Sequence, residues 1–395
     1  MSNSLDAVNP EYWSKRMQIV RRDTPVYPKL ASFEERANLK NGDTVNRPYH
    51  SLIRVRDYAK STDTTLTDIT ATNEQLLVNQ YKIAGFYIDD VEELQSNYAL
   101  LNQFVDETGK ELELFIDGDF LGEVASASSS VDDGDINSGT SGIPHAVTVA
   151  TVKKLFSVAA KKLNREHIDM AGRYAVISPT IHQLLIEAMD GKDTALGDST
   201  GKNGHIGKYM GFDLYMSNNL PLSGKWTPAN NPSDADTVTV SGVEFEFKNT
   251  AATAGQVKIG GSTALTLDNL VAAINGSGTG DGTDYFELSE TDRKTLEGCV
   301  ATDGATYVTI FHEGAGEATL SASEVADLWS VTTIHQMIGK KGSVDVVVQK
   351  APGVEFRKPA KLLGTNVLPW TVYGLKTFDE GAKALVDVQV DSSQL

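Results

Sequence analysis

Cysteine is almost absent. Cys299 is the one thiol among 395 residues, so no disulfide framework can form within the chain. That usage suits folding in a reducing cytosol. Long hydrophobic runs are missing as well. No stretch approaches about eighteen consecutive apolar residues, which excludes a membrane-spanning helix. Positive charge is scarce: 35 Lys and Arg stand against 53 Asp and Glu, a formal net charge of -18. The surface as a whole is therefore not a nucleic-acid-binding face, and its acidity keeps an abundant protein soluble and off DNA. The opening Met1-Ser-Asn-Ser-Leu-Asp-Ala7 has neither a basic segment nor an apolar core, so no secretory signal is expected there.

What remains is an ordinary globular composition, with 40% apolar and 22% charged residues and a length that suits two or three domains. The charge is unevenly placed. Residues 222–335 hold sixteen acidic and five basic side chains, and glycine, alanine and threonine concentrate in the same stretch. A module boundary is therefore expected near Pro221 and another near Ile334.

Residues 1–40 show no clean periodicity and read as a tethered arm. Asn41-Gly-Asp43 signals a turn. Val45 to Tyr58 and Leu76 to Tyr87 are strand-like around the polar Lys60-Ser-Thr-Asp-Thr-Thr65, which predicts a protruding hairpin with a polar tip. From Asp89 the period becomes helical through Val91, Leu94, Tyr98, Leu101, Val105, Leu112, Ile116 and Phe120. A helix over 89–121 would be roughly 50 Å long, with Gly109 and Gly118 as places where it bends or ends. The Ser, Asp and Gly run from Ser126 to Ser141 reads as a mobile loop.

Val147 to Leu163 predicts an amphipathic helix with Val152, Leu155, Phe156, Ala159 and Leu163 on its apolar face. Tyr174-Ala-Val-Ile177 predicts a buried strand, and Ser178-Pro179 opens a helix from Thr180 to Met189. Strands are expected at Thr237–Val240, Val243–Phe247, Thr306–Phe311, Ser343–Gln349 and Leu385–Val390. Thr266 is expected to cap a short helix. Residues 222–335 thus read as a small α+β or mostly β unit.

No segment carries a convincing catalytic signature. Gly197-Asp-Ser-Thr-Gly201 matches G-x-S-x-G, but its flanks are polar and glycine-rich rather than strand and helix, so Ser199 reads as a loop residue. Asp133, Asp135 and Asn137 have calcium-loop spacing, yet Ser138 and Pro144 stand where glycine and glutamate are needed. The glycine runs lack both dinucleotide and P-loop patterns; Gly207-Lys208 is followed by Tyr209. His182 reads as a core-edge or surface histidine. Lys153-Lys154, Lys161-Lys162 with Arg165, and Lys340-Lys341 read as solvated faces, or alternatively as patches for acidic neighbours.

Several strings occur in a telling order: Leu163-Asn-Arg-Glu166, Gly172-Arg-Tyr-Ala-Val-Ile-Ser-Pro179, Gly211-Phe-Asp-Leu-Tyr-Met-Ser-Asn-Asn-Leu-Pro221 and Tyr373-Gly-Leu-Lys376. With the arm, hairpin and long helix ahead of them, they resemble the major capsid protein of tailed bacteriophages, built on the Hong Kong 97 fold. The resemblance implies an α+β chain with an N-terminal arm at 1–40, an extended hairpin loop at 41–87, and a spine helix with peripheral domain at 88–165. It further implies a first axial part at 166–221, an insertion domain at 222–335, and an axial return with C-terminal peripheral strands at 336–395.

The implied function is non-enzymatic: self-assembly into the pentamers and hexamers of an icosahedral phage head enclosing double-stranded DNA without reading its sequence. No catalytic, cofactor or metal residue is assigned. Expected partners are further copies of the chain, a separate scaffolding protein and a portal, with room for a decoration protein; the expected location is the virion, after assembly in the host cytoplasm. Trp13 and Arg16 in the arm, with Arg54, Arg56, Tyr58 and Lys60 in the hairpin, are the expected inter-subunit contacts. An encapsulin-like bacterial compartment shares the implied fold, and a ligand-binding surface or adhesion protein is the alternative of a different class.

Overall fold

The structure, a computed structural model, describes residues 22–34, 42–50, 55, 57, 60, 71–95, 100–139, 141–189, 207–278, 280–296, 298–304, 306–312, 320–322, 330–359 and 363–391. In chain order it begins with α1 (Tyr27–Leu30), β1 (Thr44–His50), β2 (Ala71–Leu77), β3 (Gln80–Ile83), β4 (Phe86–Asp89), α2 (Asp90–Gln95) and α3 (Leu100–Gly122). Next come β5 (Ser129–Val131), α4 (Asp133–Asn137), α5 (Val152–Arg165), β6 (Arg173–Ile177), α6 (Pro179–Met189), β7 (Lys208–Tyr209) and β8 (Phe212–Met216). The acidic stretch supplies β9 (Leu222–Trp226), β10 (Thr237–Val240), β11 (Val243–Lys248), β12 (Gln256–Lys258), α7 (Thr263–Asn275), α8 (Glu290–Thr295), β13 (Cys299–Asp303), β14 (Val308–His312) and β15 (Leu320–Ala322). The chain closes with β16 (Ser330–Lys340), β17 (Asp345–Arg357), β18 (Gly364–Lys376), α9 (Asp379–Lys383) and β19 (Leu385–Asp391).

Tyr174-Ala-Val-Ile177 forms a strand buried on both faces, as its unbroken apolar run requires. Along β6, side chains alternate between two cores. Ala175 and Ile177 pack with Leu155, Phe156, Ala159 and Leu163 of α5 and with Ile181 and Leu185 of α6. Tyr174 and Val176 face Ile116, Phe120 and Leu121 of α3. The sheet is thus held between the α5–α6 layer and α3. Around β6 it runs β13-β14-β9-β16-β6-β8-β7, with β19 pairing to β16 and β5 to β19.

Helix α3 also carries a second sheet, ordered β17-β18-β3 with β4 on β18. Tyr373 donates its hydroxyl to Asp119, and Thr377 N–H donates to Glu123 at 2.8 Å. On its other flank α3 holds the segment 22–34. Asp117 accepts the N–H groups of Val26 and Tyr27 at 2.7 and 2.8 Å, and Val26, Tyr27 and Leu30 enter the core beside Phe120.

Several local expectations are corrected. Residues 126–141 are not an open loop: they hold β5 and α4, with Val131 and Ile136 fully buried. Asp132 caps α4 and also accepts from Gly142 N–H at 2.6 Å and Ser141 at 3.0 Å. Burial acts to raise its carboxyl, but these donors win and hold it below the usual carboxylate value. The Ser, Asp and Gly that suggested mobility serve as caps and turns.

Helix α5 starts at Val152 rather than Val147, because Thr148 and Thr151 close a turn ahead of it; Val147 is buried from an extended segment. The cap of α7 is Ser262, while Thr266 lies inside the helix and bonds Asn231 at 2.6 Å. Helix α3 runs through Gly109 and Gly118 without ending. The strand read at 76–87 is divided into the end of β2, β3 and β4.

The acidic stretch is joined to the framework rather than set apart from it. Strands β9, β13 and β14 extend the sheet of β6 and β16, while β12-β11-β10-β15 form a sheet of their own. A separate core of Phe245, Phe247, Leu267, Leu270, Ile274 and Tyr285 lies beneath α7, and Trp226 stacks on Phe247 at 5.7 Å.

Candidate assembly surfaces

The hairpin β1–β2 is antiparallel in a simple register from Thr44↔Leu77 to His50↔Ala71. A lone two-stranded ribbon is marginal in water, so its stability must come from what it lies against. Its base is well anchored. Arg47 pairs with Asp345 at 2.8 Å and lies 4.2 Å from the Phe378 ring. Lys376 donates to Gln75 O at 2.9 Å, and Gln349 donates to Gly42 O at 3.0 Å. Tyr49 donates to Glu380 at 3.1 Å, and the Lys383 ammonium, with that hydroxyl, holds the Glu380 carboxyl below its ordinary range. Leu76 and Val78 complete a small core with Val347, Val372 and Phe378.

One glycine makes this docking possible. A Cβ on Gly374 of β18 would stand 2.2 Å from Leu77 O and 2.8 Å from Val78 Cα, so no side chain fits without moving the end of β2. Gly374→Ala is therefore expected to destabilise the subunit by about 2 kcal/mol, the range of overpacking. Thermal unfolding and proteolysis of the hairpin check this. An unchanged midpoint with no new cleavage near Leu77 would remove the close-packing argument.

Away from the base, support falls off. In β2 only Leu76 is buried, Leu77 is 49% exposed, and Val55 beyond the end of β1 is 99% exposed. Of the six residues expected to touch neighbours, Lys60 is exposed on the surface. Trp13, Arg16, Arg54, Arg56 and Tyr58 lie outside the described residues, as does Ser199.

A second surface lies on the rim of the β17-β18-β3 sheet. Tyr81 and Ile83 of β3 are 68% and 64% exposed, with Phe356 and Leu363 similarly open. Tyr81, Ile83, Leu368 and Trp370 line a shallow cavity of about 360 Å³. Charges frame it: Lys350 stands 3.1 Å over the Trp370 ring, and Trp370 donates to Glu355 at 3.1 Å. Arg357 and then Trp370 hold the Glu355 carboxyl below its usual value. Contiguous exposed apolar surface with a polar border marks a protein-binding face. This rim was not read from the sequence, although the alternation in Tyr81-Lys-Ile83 and Leu368-Pro-Trp370 carries the signal.

The basic clusters are largely spent inside the chain. Lys340 pairs with Asp169 at 3.2 Å, Lys341 with Asp213 at 3.1 Å, and Lys162 with Asp135. The calcium-like spacing is spent too: Asp133 bonds His145 at 2.7 Å. His182 is half-buried on α6.

With the geometry in place, the likenesses are specific. Residues 73–262 match the phage capsid protein family. A chain from Mycobacterium phage Che8 superposes with a TM-score of 0.59 at 15% identity, over 96% of each chain. A chain from the capsid of the cyanophage P-SCSP1u gives 0.56 at 13%, covering 98% of this chain and 94% of that one. One from the mature capsid of bacteriophage PhiM1 gives 0.52 at 9%, covering 97% and 92%. At such identities the likeness establishes the fold. No curated protein matches the sequence.

Proposed function

From the premise that this chain carries a phage capsid protein domain on the α+β capsid fold of Hong Kong 97 type, we propose that it is the major capsid protein of a tailed phage. Its copies form the pentamers and hexamers of an icosahedral shell, assembled in the host cytoplasm around a separate scaffolding protein and a portal. The shell encloses double-stranded DNA through its volume, not through sequence readout. The match over 73–262 carries this reading, because it runs from the second hairpin strand through the spine and axial elements into the acidic stretch.

The physical logic supports it. The hairpin is anchored at its base and exposed towards its far end, and the apolar rim at Tyr81 and Trp370 is open. A hairpin from one subunit that covers the rim of the next buries both, and such exchange repeats around a closed symmetric assembly. In this reading residues 1–40 are an arm, 41–87 the hairpin loop, 88–165 spine and periphery, 166–221 and 336–395 the axial parts with the closing peripheral strands, and 222–335 an outward insertion, where a decoration protein would dock. Sedimentation velocity with negative-stain microscopy on the purified chain, with and without scaffold, decides. A strict monomer under both conditions would end the proposal.

The insertion has its own test. Trp226 and Val308 are cross-strand partners, so an Asn-Gly turn between them can replace residues 227–307. With Trp226 made Thr, because its cover is lost, this chain is expected to fold and still form particles. Cutting at 222 and 335 instead removes β9 and half of β16, and is expected to unfold it. Circular dichroism and sedimentation of both chains separate the outcomes.

A further inference from the structure

Ser223, His335 and Asp387 are far apart in sequence but meet on three adjacent strands, since β16 pairs with β9 on one side and β19 on the other. His335 Nδ1 lies 2.9 Å from each Asp387 carboxylate oxygen, and Nε2 lies 2.7 Å from Ser223 Oγ. A carboxylate only accepts, so Nδ1 carries the proton and Nε2 is left to accept from the serine hydroxyl. Gln389 donates to Asp387 at 3.0 Å, and the Phe311 ring packs 5.1 Å from the imidazole. The three residues are 8%, 7% and 7% exposed, so bulk water is largely excluded.

A bridge that only ties strands together needs no opening at its hydroxyl end. Here a cavity of about 370 Å³ is lined by Ser223 and His335, together with Lys225, Thr309 and Thr333. Lys225 follows Ser223 by two residues on β9 and so shares its face of the sheet. Lys225 is the one Lys or Arg among the residues lining this cavity, and its ammonium lies 3.7 Å over the Tyr307 ring. Carboxylate, imidazole and hydroxyl stand in the order that nucleophilic serine chemistry requires.

From this geometry we propose that Ser223 is a nucleophilic serine that takes the acyl group of small carboxylic esters. Ser223 Oγ bonds to the ester carbonyl carbon as its proton passes to His335 Nε2. The bond to the alcohol oxygen then breaks, and that oxygen leaves with the proton from His335. Water repeats the two steps on the acyl-serine, releasing the carboxylic acid and restoring Ser223. Asp387 orients His335 by accepting from its Nδ1. This activity stands apart from shell building and does not rest on it.

The test is a small dialkyl fluorophosphate applied to the full-length folded chain from pH 5 to 9, with adducts located by peptide mass spectrometry. One adduct at Ser223 is expected, formed faster towards the alkaline end of that range, as general-base activation requires. Ser223→Ala should carry none at that position, and His335→Gln should slow labelling about a hundred-fold or more. No adduct at Ser223 in the folded parent overturns the proposal, as does an unchanged rate in folded His335→Gln. Where His335→Gln does not fold, the parent decides: a pH-dependent rise supports the proposal and a flat profile overturns it.

Discussion

A chain in which residues 51–70 give way to Asn-Gly, so that His50 runs directly into Ala71, is expected to fold as the parent does and to form no closed shells. His50 and Ala71 are the last cross-strand pair of the hairpin, and a two-residue Asn-Gly turn suits the twist of such a ribbon. The anchors at its base all lie on the retained side: Arg47 with Asp345, Lys376 with Gln75, and Leu76 in its small core. Subunit stability should therefore change little. What goes is the segment 51–70, with the expected contact residues Arg54, Arg56, Tyr58 and Lys60. In a symmetric shell every subunit makes the same contact, so even ~1.4 kcal/mol lost per contact weakens each association step tenfold. Sedimentation should show capsomers or monomers in place of shells. Shells of parental size from the shortened chain would remove residues 51–70 from the assembly mechanism.

The second large effect is a pH dependence centred on Asp117. This carboxyl is fully buried on α3 and binds two backbone N–H groups of the segment at Val26 and Tyr27. Burial pushes it up from 3.8 to about 6, outweighing the amide donors that favour its charged form. The folded state therefore holds this proton more tightly than the unfolded state does. Its contribution is full below about pH 4 and is lost as pH rises through 6, a swing of about 3 kcal/mol by pH 8. Asp117→Asn cannot ionise and keeps an oxygen to accept the two amides, so it should lack this slope. In urea unfolding the stability difference between parent and variant should change by about 3 kcal/mol between pH 4 and 8, the parent losing relative ground. Parallel curves would place the carboxyl's influence elsewhere.

Much of the framework was written in local patterns. The stripe Val152, Leu155, Phe156, Ala159 and Leu163 is buried in the structure as its period predicts, and Tyr174 to Ile177 is a strand enclosed on both faces. Both segments obey a single rule over their whole length, so sequence alone reads them. The acidic stretch was visible as a shift in composition. That its strands β9 and β14 share a sheet with the framework was not visible, because pairing depends on register between strands far apart in sequence, such as Trp226 with Val308 and Leu222 with Ile334.

The same holds for the residues that matter most to the surfaces and the cavity. Arg47 reaches Asp345, Val26 reaches Asp117, and His335 joins Ser223 to Asp387 only after the chain has folded. None of these residues belongs to a local motif. The run at 126–141 misled for a different reason: serine, aspartate and glycine favour caps and turns as strongly as they favour disorder, and here they tie down α4.

The most direct test of the shell-building reading is cryo-electron microscopy of particles assembled from the purified chain with its scaffold. The prediction is a closed icosahedral shell in which the hairpin of one subunit extends onto the neighbour's peripheral sheet and covers the Tyr81 and Trp370 rim. Particles in which each hairpin folds back on its own subunit, leaving that rim exposed, would contradict it.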